Sequence, residues 1–467
     1  MMKHIIFLIS ATVLLLAACT DNDTFSTSRS DVLTFSTDTV KMDTVFANTG
    51  SSTYTFWVFN NSGDGIRLNS VRLENGNQTG FRVNVDGAYL DNTLGSVVNG
   101  LEVRKGDSIR VFVELTAPAT NRVEPQQVSD NLVFHLESGV EQRVRLQAWA
   151  WDAVKVADLV VSSDTLIESV HPLVFYGSGI RVDSGAVLTL RGTTLYFHDR
   201  AGIDVYGRLK AENTVMRGDR LDHMFDYLPY DRVSGQWRGV WFAPSSAVGN
   251  TLVDTEIRNA EKALVLSDSA AMDTTAQRLT MTRCIVHNAK GHGIVAYGSN
   301  IGLYYCQLSN TLGDCLSLVG GICEVDHCTL AQFYPFSANR GAALRFSNSW
   351  EDTFYPLMRL NCQHSIVTGY EKDVVFAEQA EPDSTKQREL GIAAADVVFS
   401  YHFADCLLRT PAVEDDTLSF RDIQWETPDD SIQGKQHFRV FDEDNLYYDF
   451  HLDSLSTAHG KGCYIEE

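Results

Sequence analysis

Alternation of apolar and polar residues organises most of the chain. TYTFWVFNN, GIRLNSVRLEN, GFRVNV, SIRVFVELTAP and QRVRLQAWAW each place an apolar side chain at every second position, between breaks of Gly, Asn, Asp or Pro. A period of two is that of a half-buried strand. Strands at this spacing predict an antiparallel β-sandwich over residues 37–152. From Val154 the alternation becomes a repeat. Cys284-Ile-Val-His-Asn-Ala returns as Cys306-Gln-Leu-Ser-Asn-Thr and Cys328-Thr-Leu-Ala-Gln-Phe, and Thr255-Glu-Ile-Arg-Asn-Ala fits the same frame upstream. Ser365-Ile-Val-Thr-Gly-Tyr and Cys406-Leu-Leu-Arg-Thr-Pro continue it downstream. The third position is always a branched aliphatic: Ile257, Val286, Leu308, Leu330, Val367, Leu408. A second short strand follows each copy, as in GHGIVA and GDCLSL, with earlier examples in SGIRVDSG, AGIDVYG and RGVWFAP.

A period near 22 residues with several short strands per copy is the mark of a solenoid. No segment keeps a helical period, and the leucine-rich-repeat frame is absent. The prediction is an all-β chain: a sandwich, then a right-handed parallel β-helix of about ten coils over residues 153–467, with coils about 4.8 Å apart. Equivalent residues of successive coils then lie above one another. Asn259, Asn288 and Asn310 are expected to form a ladder of side-chain amides at an inner bend, and Cys284, Cys306 and Cys328 an inward column beside it.

Three resemblances sharpen this picture. The Lys-Gly-Asp-Ser-Ile-x-Val-x-Val-x-Leu-x-Ala-Pro run, with the strands around it, resembles the immunoglobulin-like modules of bacterial envelope proteins. Gln236-Trp237-Arg238-Gly239-Val240, opening a coil, resembles a group of bacterial surface lipoproteins in the pectate-lyase-like superfamily. The tail HLDSLSTAHGKG resembles the closing coil of that class. That group is defined by its fold, so the resemblance implies an architecture and no particular reaction.

Composition changes the picture at the ends. MMKHIIFLISATVLLLAAC has a short basic start, an apolar run too short to span a bilayer, and a Leu-Ala-Ala-Cys close. It matches the lipobox of bacterial lipoproteins. The match implies a signal peptide over 1–18, lipid attachment at Cys19, a tether over 19–36, and a surface-exposed place on the outer membrane. A formal charge of −22 repels nucleic acid, which is discounted as a partner. Oligomeric state is not readable from the sequence.

The candidate chemistry is sparse. Among the eight remaining cysteines the 22-residue spacings are those of the repeat, and the short paired spacings of a zinc site are missing, so neither metal nor cofactor is expected. Calcium enters only if the fold carries a lyase-like carboxylate site. Outward positions of the second-strand frame are Arg181, Asp204, Trp241, Val295, Ser317 and Arg345, a mixed column. His198, Asp199 and Asp204 stand as possible acid/base groups. The segment from Arg217 to Trp241 brings Tyr227, Tyr230, Trp237 and Trp241 among acids, a pattern suited to stacking on sugar rings. Candidate ligand-binding residues are therefore Trp241, Trp237, Tyr227, Tyr230, Asp204, Arg181 and Arg345. Three functions stay open: non-catalytic contact with extracellular glycan or matrix, cleavage as a polysaccharide lyase or glycoside hydrolase, and a purely structural role.

Overall fold

A computed structural model describes residues 24–76, 78–222, 229–268, 272–351, 353–380, 397–426 and 434–464. The lipobox with Cys19, and Tyr227, lie outside the described residues. The chain divides into two compact units, Met1–Asp152 and Ala153–Glu467.

The first unit is a sandwich of two five-stranded sheets. One sheet orders Thr34–Phe35, Tyr54–Phe59, Ser108–Leu115, Phe81–Val85 and Ala88–Tyr89. The other orders Thr39–Phe46, Glu141–Trp151, Gln126–Leu136, Ile66–Leu73 and Val97–Val103. Phe56, Val58, Val111, Val113, Phe134 and Leu146 bury their side chains, while the alternate residues Trp57 and Trp149 stay exposed. Two features depart from the expectation. Thr39–Phe46 runs parallel to Glu141–Trp151. Part of the expected tether is also sandwich: Thr34–Phe35 pairs with Val58 and Phe59, and Phe25 bridges Gly65.

The second unit is a parallel β-helix. One sheet stacks ten parallel strands, from Thr165–Ile167 to Phe420–Arg421. An 18-stranded sheet supplies the remaining walls. The coil interior is one continuous apolar core running from Val161 to Leu408. The conserved frame of the repeat acts here. Ile257, Val286, Leu308, Leu330, Val367 and Leu408 lie in register and are fully buried.

The cysteines fill the same interior. All eight from Cys284 onward are free and buried. In the column, the Cys306 N–H points at Cys328 Sγ (3.4 Å) and the Cys328 N–H at Ser365 Oγ (3.0 Å). Burial pushes the Cys315 and Cys463 thiols up to about 12, so neither is a thiolate at neutral pH.

The C-terminal end is closed by a hairpin, Phe438–Asp442 with Tyr447–Leu452, packed on Phe333 through Phe438, Phe441 and Phe450. Beneath it sits a buried charge cluster. Arg409 Nη1 lies 3.2 Å from Glu426 Oε1, His437 Nε2 lies 3.6 Å from the same oxygen, and Thr368 donates to Glu426 Oε2 at 2.7 Å.

Candidate functional site: a cleft under the C-terminal hairpin

The repeat itself builds the floor of the site. Strands Glu256–Arg258, Ile285–His287 and Gln307–Ser309 pair in register, so Glu256, Ile285 and Gln307 form one outward row, and Arg258, His287 and Ser309 the next. The turn after each strand carries Asn259, Asn288 or Asn310 in the left-handed conformation, with φ of 62, 60 and 54°. Asn reaches this region more readily than most residues, which suits it to the corner.

These amides were expected inside the bend. They instead line a cleft outside the coils. Asn259 donates to the Asp231 carbonyl, and Asn288 to the Arg232 carbonyl and to Asn259 Oδ1 (2.8 Å). Two rungs of the ladder are thus present. Asn310 does not extend it. Its residue is 1% exposed, yet neither Nδ2 nor Oδ1 has a hydrogen-bond partner among the described residues.

Two distant segments roof the floor. Pro229 to Gln236 comes over from one side, and the C-terminal hairpin from the other. They meet where the Arg232 guanidinium donates to the Asn445 carbonyl. The enclosed cleft holds about 490 Å³ and is also lined by Phe336, Tyr447, Tyr448, Asp449, His451 and Tyr464. Tyr464 donates to Gln307 Oε1 at 2.8 Å and stacks on His451 with centroids 3.8 Å apart. It is thereby fixed as part of the wall.

The electrostatics are those of a binding surface. Glu256 and Arg258 form an ion pair on the floor. Burial lowers the Arg258 guanidinium to about 10, which leaves it charged at neutral pH. Burial, with Arg258 nearby, drives His287 down to about 3, so its ring is neutral and hydrogen-bonds Ser309 at 2.8 Å. Burial alone would raise Asp449, but hydrogen bonds from His451 hold it below the usual carboxylate range.

Of the ligand-binding candidates singled out in the sequence, those among the described residues do not line this cleft. Arg181, Asp204 and Trp241 share one row, continued through Val265, Val295 and Ser317 to Arg345. Each is already engaged. Arg181 pairs with Asp183 (2.8 Å), Asp204 with Arg238, and Arg345 with Asp314 (3.1 Å) and Glu378. Trp241 donates to Ser267 Oγ at 2.6 Å and meets Tyr206 edge-on. Tyr230 lies under the Arg220 guanidinium at 4.1 Å. His198 bonds Asp219 (2.7 Å) rather than Asp199 or Asp204.

Trp237 is the clear correction. It is 1% exposed, stacked on Phe197 with centroids 4.5 Å apart, and donates to the Arg258 carbonyl at 2.9 Å. It is a core residue and cannot meet a ligand. The cleft residues Arg258, His287 and Gln307 were passed over because they sit inside the repeat frame, where scaffold explained them.

Comparison with known proteins agrees with the architecture. Residues 159–330 match the family model of the right handed beta helix region. With the stacked parallel sheets, this makes the second unit a right-handed parallel β-helix. No curated protein matches the chain. Among solved structures, the catalytic unit of a thermostable GH87 alpha-1,3-glucanase from Streptomyces thermodiastaticus strain HF3-3 is similar at 12% identity. That alignment covers 80% of this chain and 89% of that one, with a TM-score of 0.31. The Agl-KA catalytic domain is similar at 11% identity over 81% of this chain and 76% of that chain, TM-score 0.31. The PapD-like domain 7 of human CEP192 is similar at 9% identity over 26% of this chain and 86% of that chain, TM-score 0.18. At this level of likeness, what the cleft can do rests on its own side chains.

Proposed function

We propose that the β-helix binds a carbohydrate in the cleft under the C-terminal hairpin and does not cleave it. The observation that carries this reading is the cleft itself, about 490 Å³ in which polar side chains of the coil floor face the aromatic rings of the hairpin. Arg258, Gln307 and His287 supply polar contacts, and Tyr447, Tyr448 and Phe336 supply ring faces and edges for the apolar sides of a sugar.

Cleavage is the second reading, because Asp231, Glu256 and Asp449 bring three carboxylates to the cleft. It is disfavoured on two counts. A glycosidase needs one carboxyl held protonated, whereas Glu256 is neutralised by Arg258 and Asp449 is held ionised. We further propose that the chain is lipid-anchored through Cys19 at the outer membrane, presenting the cleft outward, which places it where extracellular glycan is met.

The test is a glycan array on the full chain in detergent, followed by calorimetry with each hit. Binding that falls at least about tenfold in Arg258→Gln and in Tyr447→Ala, but persists in Trp241→Ala, supports the cleft. Unchanged affinity in both cleft variants would remove it. Release of new reducing ends or unsaturated uronates from a polysaccharide panel would replace binding by cleavage. Partition of the mature protein into the aqueous phase of a detergent separation would sink the anchor.

A further inference from the structure

Away from the cleft, each coil turns a second corner between the ten-stranded sheet and the next wall. The corner residue is left-handed in coil after coil: Asn213, Asp254, Arg283, Tyr305, His327, His364 and Asp405, with φ between 47 and 56°. This conformation throws each side chain outward, and the coil spacing sets it beside its neighbours. Tyr305 stacks on His327 with centroids 5.0 Å apart, and His327 on His364 at 4.5 Å. The two imidazoles are held parallel, at an interplanar angle of 22°.

Asp326, at the end of strand Gly321–Asp326, reaches into this stack. Its Oδ1 lies 2.8 Å from His364 Nδ1 and 3.0 Å from His327 Nδ1. Only the first contact is a hydrogen bond. His327 Nδ1 is buried and has no hydrogen-bond partner among the described residues, so it points its nitrogen at the oxygen without the alignment a bond needs. The three ligand atoms lie within 4.8 Å of one another, and all three residues are part-exposed.

We propose that Asp326, His327 and His364 form a binding site for a first-row divalent transition-metal ion. An ion about 2.1 Å from each atom would subtend about 84 and 91° at the two N···O separations of 2.8 and 3.0 Å, near the angle between adjacent positions of an octahedron. Two imidazoles and one carboxylate suit zinc, cobalt or nickel, and the remaining positions face solvent. The Tyr305 ring covers one face of His327 and limits its rotation, so little ordering is required on binding. The ion would join two successive coils, since His327 and His364 belong to neighbouring turns. The site lies in different side chains from the cleft, so it stands or falls independently of the carbohydrate reading.

The experiment is titration of the full chain in detergent, stripped with chelator, by Co²⁺ and by Zn²⁺. It is followed by ligand-field absorption for cobalt and by calorimetry for both. Stoichiometric binding is expected, with a rise in melting temperature that chelator reverses. Asp326→Asn, His327→Asn and His364→Asn should each weaken binding at least about tenfold. His402→Ala, which removes a half-buried histidine outside the cluster, should leave it unchanged. His327→Asn keeps a residue that accepts the left-handed corner, so circular dichroism should show a folded chain. Absence of stoichiometric binding, or equal binding by a folded His327→Asn chain, would overturn the site.

Discussion

Single residues in this protein are judged by which side of the coil wall they occupy. Trp237 and Trp241 lie four positions apart and look alike in the sequence, yet one is 1% exposed and the other is part-exposed on the flank. Trp237→Ala should cost about 3–5 kcal/mol, seen as a lowered melting temperature, because it empties the space against Phe197 and strands the Arg258 carbonyl. Asn310→Gly should change stability by no more than about 1 kcal/mol, since glycine accepts the left-handed corner and the amide makes no hydrogen bond among the described residues. The thiols follow the same rule. The eight cysteines from Cys284 onward should resist a thiol reagent in the native protein and all react once it is denatured, a count that absorbance checks. The 22-residue spacing of Cys284, Cys306 and Cys328 was legible as scaffold, because a repeat in sequence becomes a column in space.

At the scale of elements, the C-terminal hairpin is the piece whose attachment matters most. It supplies one roof of the cleft and is held over the last coils by aromatic packing and the Arg409–Glu426–His437 cluster. Burial would raise the Glu426 pKa, but the close approach of His437, the hydrogen bond from Thr368 and the Arg409 charge bring it below the ordinary 4.5. A depressed carboxylate stabilises the fold above its unfolded pKa and loses that contribution as pH falls through the folded value. Amide exchange in 438–452 should therefore accelerate in acid before exchange in the central coils does. Glu426→Gln should produce the same loosening at neutral pH, at a cost of about 3–5 kcal/mol, because it leaves Arg409 buried without its counter-charge. Slow exchange in 438–452 at both pH values would refute the clamp. None of this was legible beforehand, since Arg409, Glu426 and His437 belong to no short motif.

Over the whole molecule, two units with their own cores imply separable folding. Residues 153–467 expressed alone should keep a β-rich circular dichroism spectrum and the cleft's affinity for any glycan the full chain binds. A collapsed spectrum would show that the first unit is required. The solenoid itself is stabilised by neighbour-on-neighbour contact, so damage to one coil is felt first in the coils beside it.

What the sequence determined by itself was the part governed by local periodicity. Alternation identified the strands of the sandwich, and a repeat near 22 residues identified the coils, because stacking turns an equal step along the chain into an equal place in the wall. The same step predicted a buried column of thiols. Tertiary structure alone decided where chemistry could gather. The cleft exists because Asn445 returns to Arg232, across more than two hundred residues of chain. The Asp326, His327 and His364 cluster exists because a coil of 37 residues separates two corners that lie beside each other. Periodicity reports which face a residue takes, whereas a site is made where insertions and the closing hairpin fold back on that face, and no local pattern encodes their landing point.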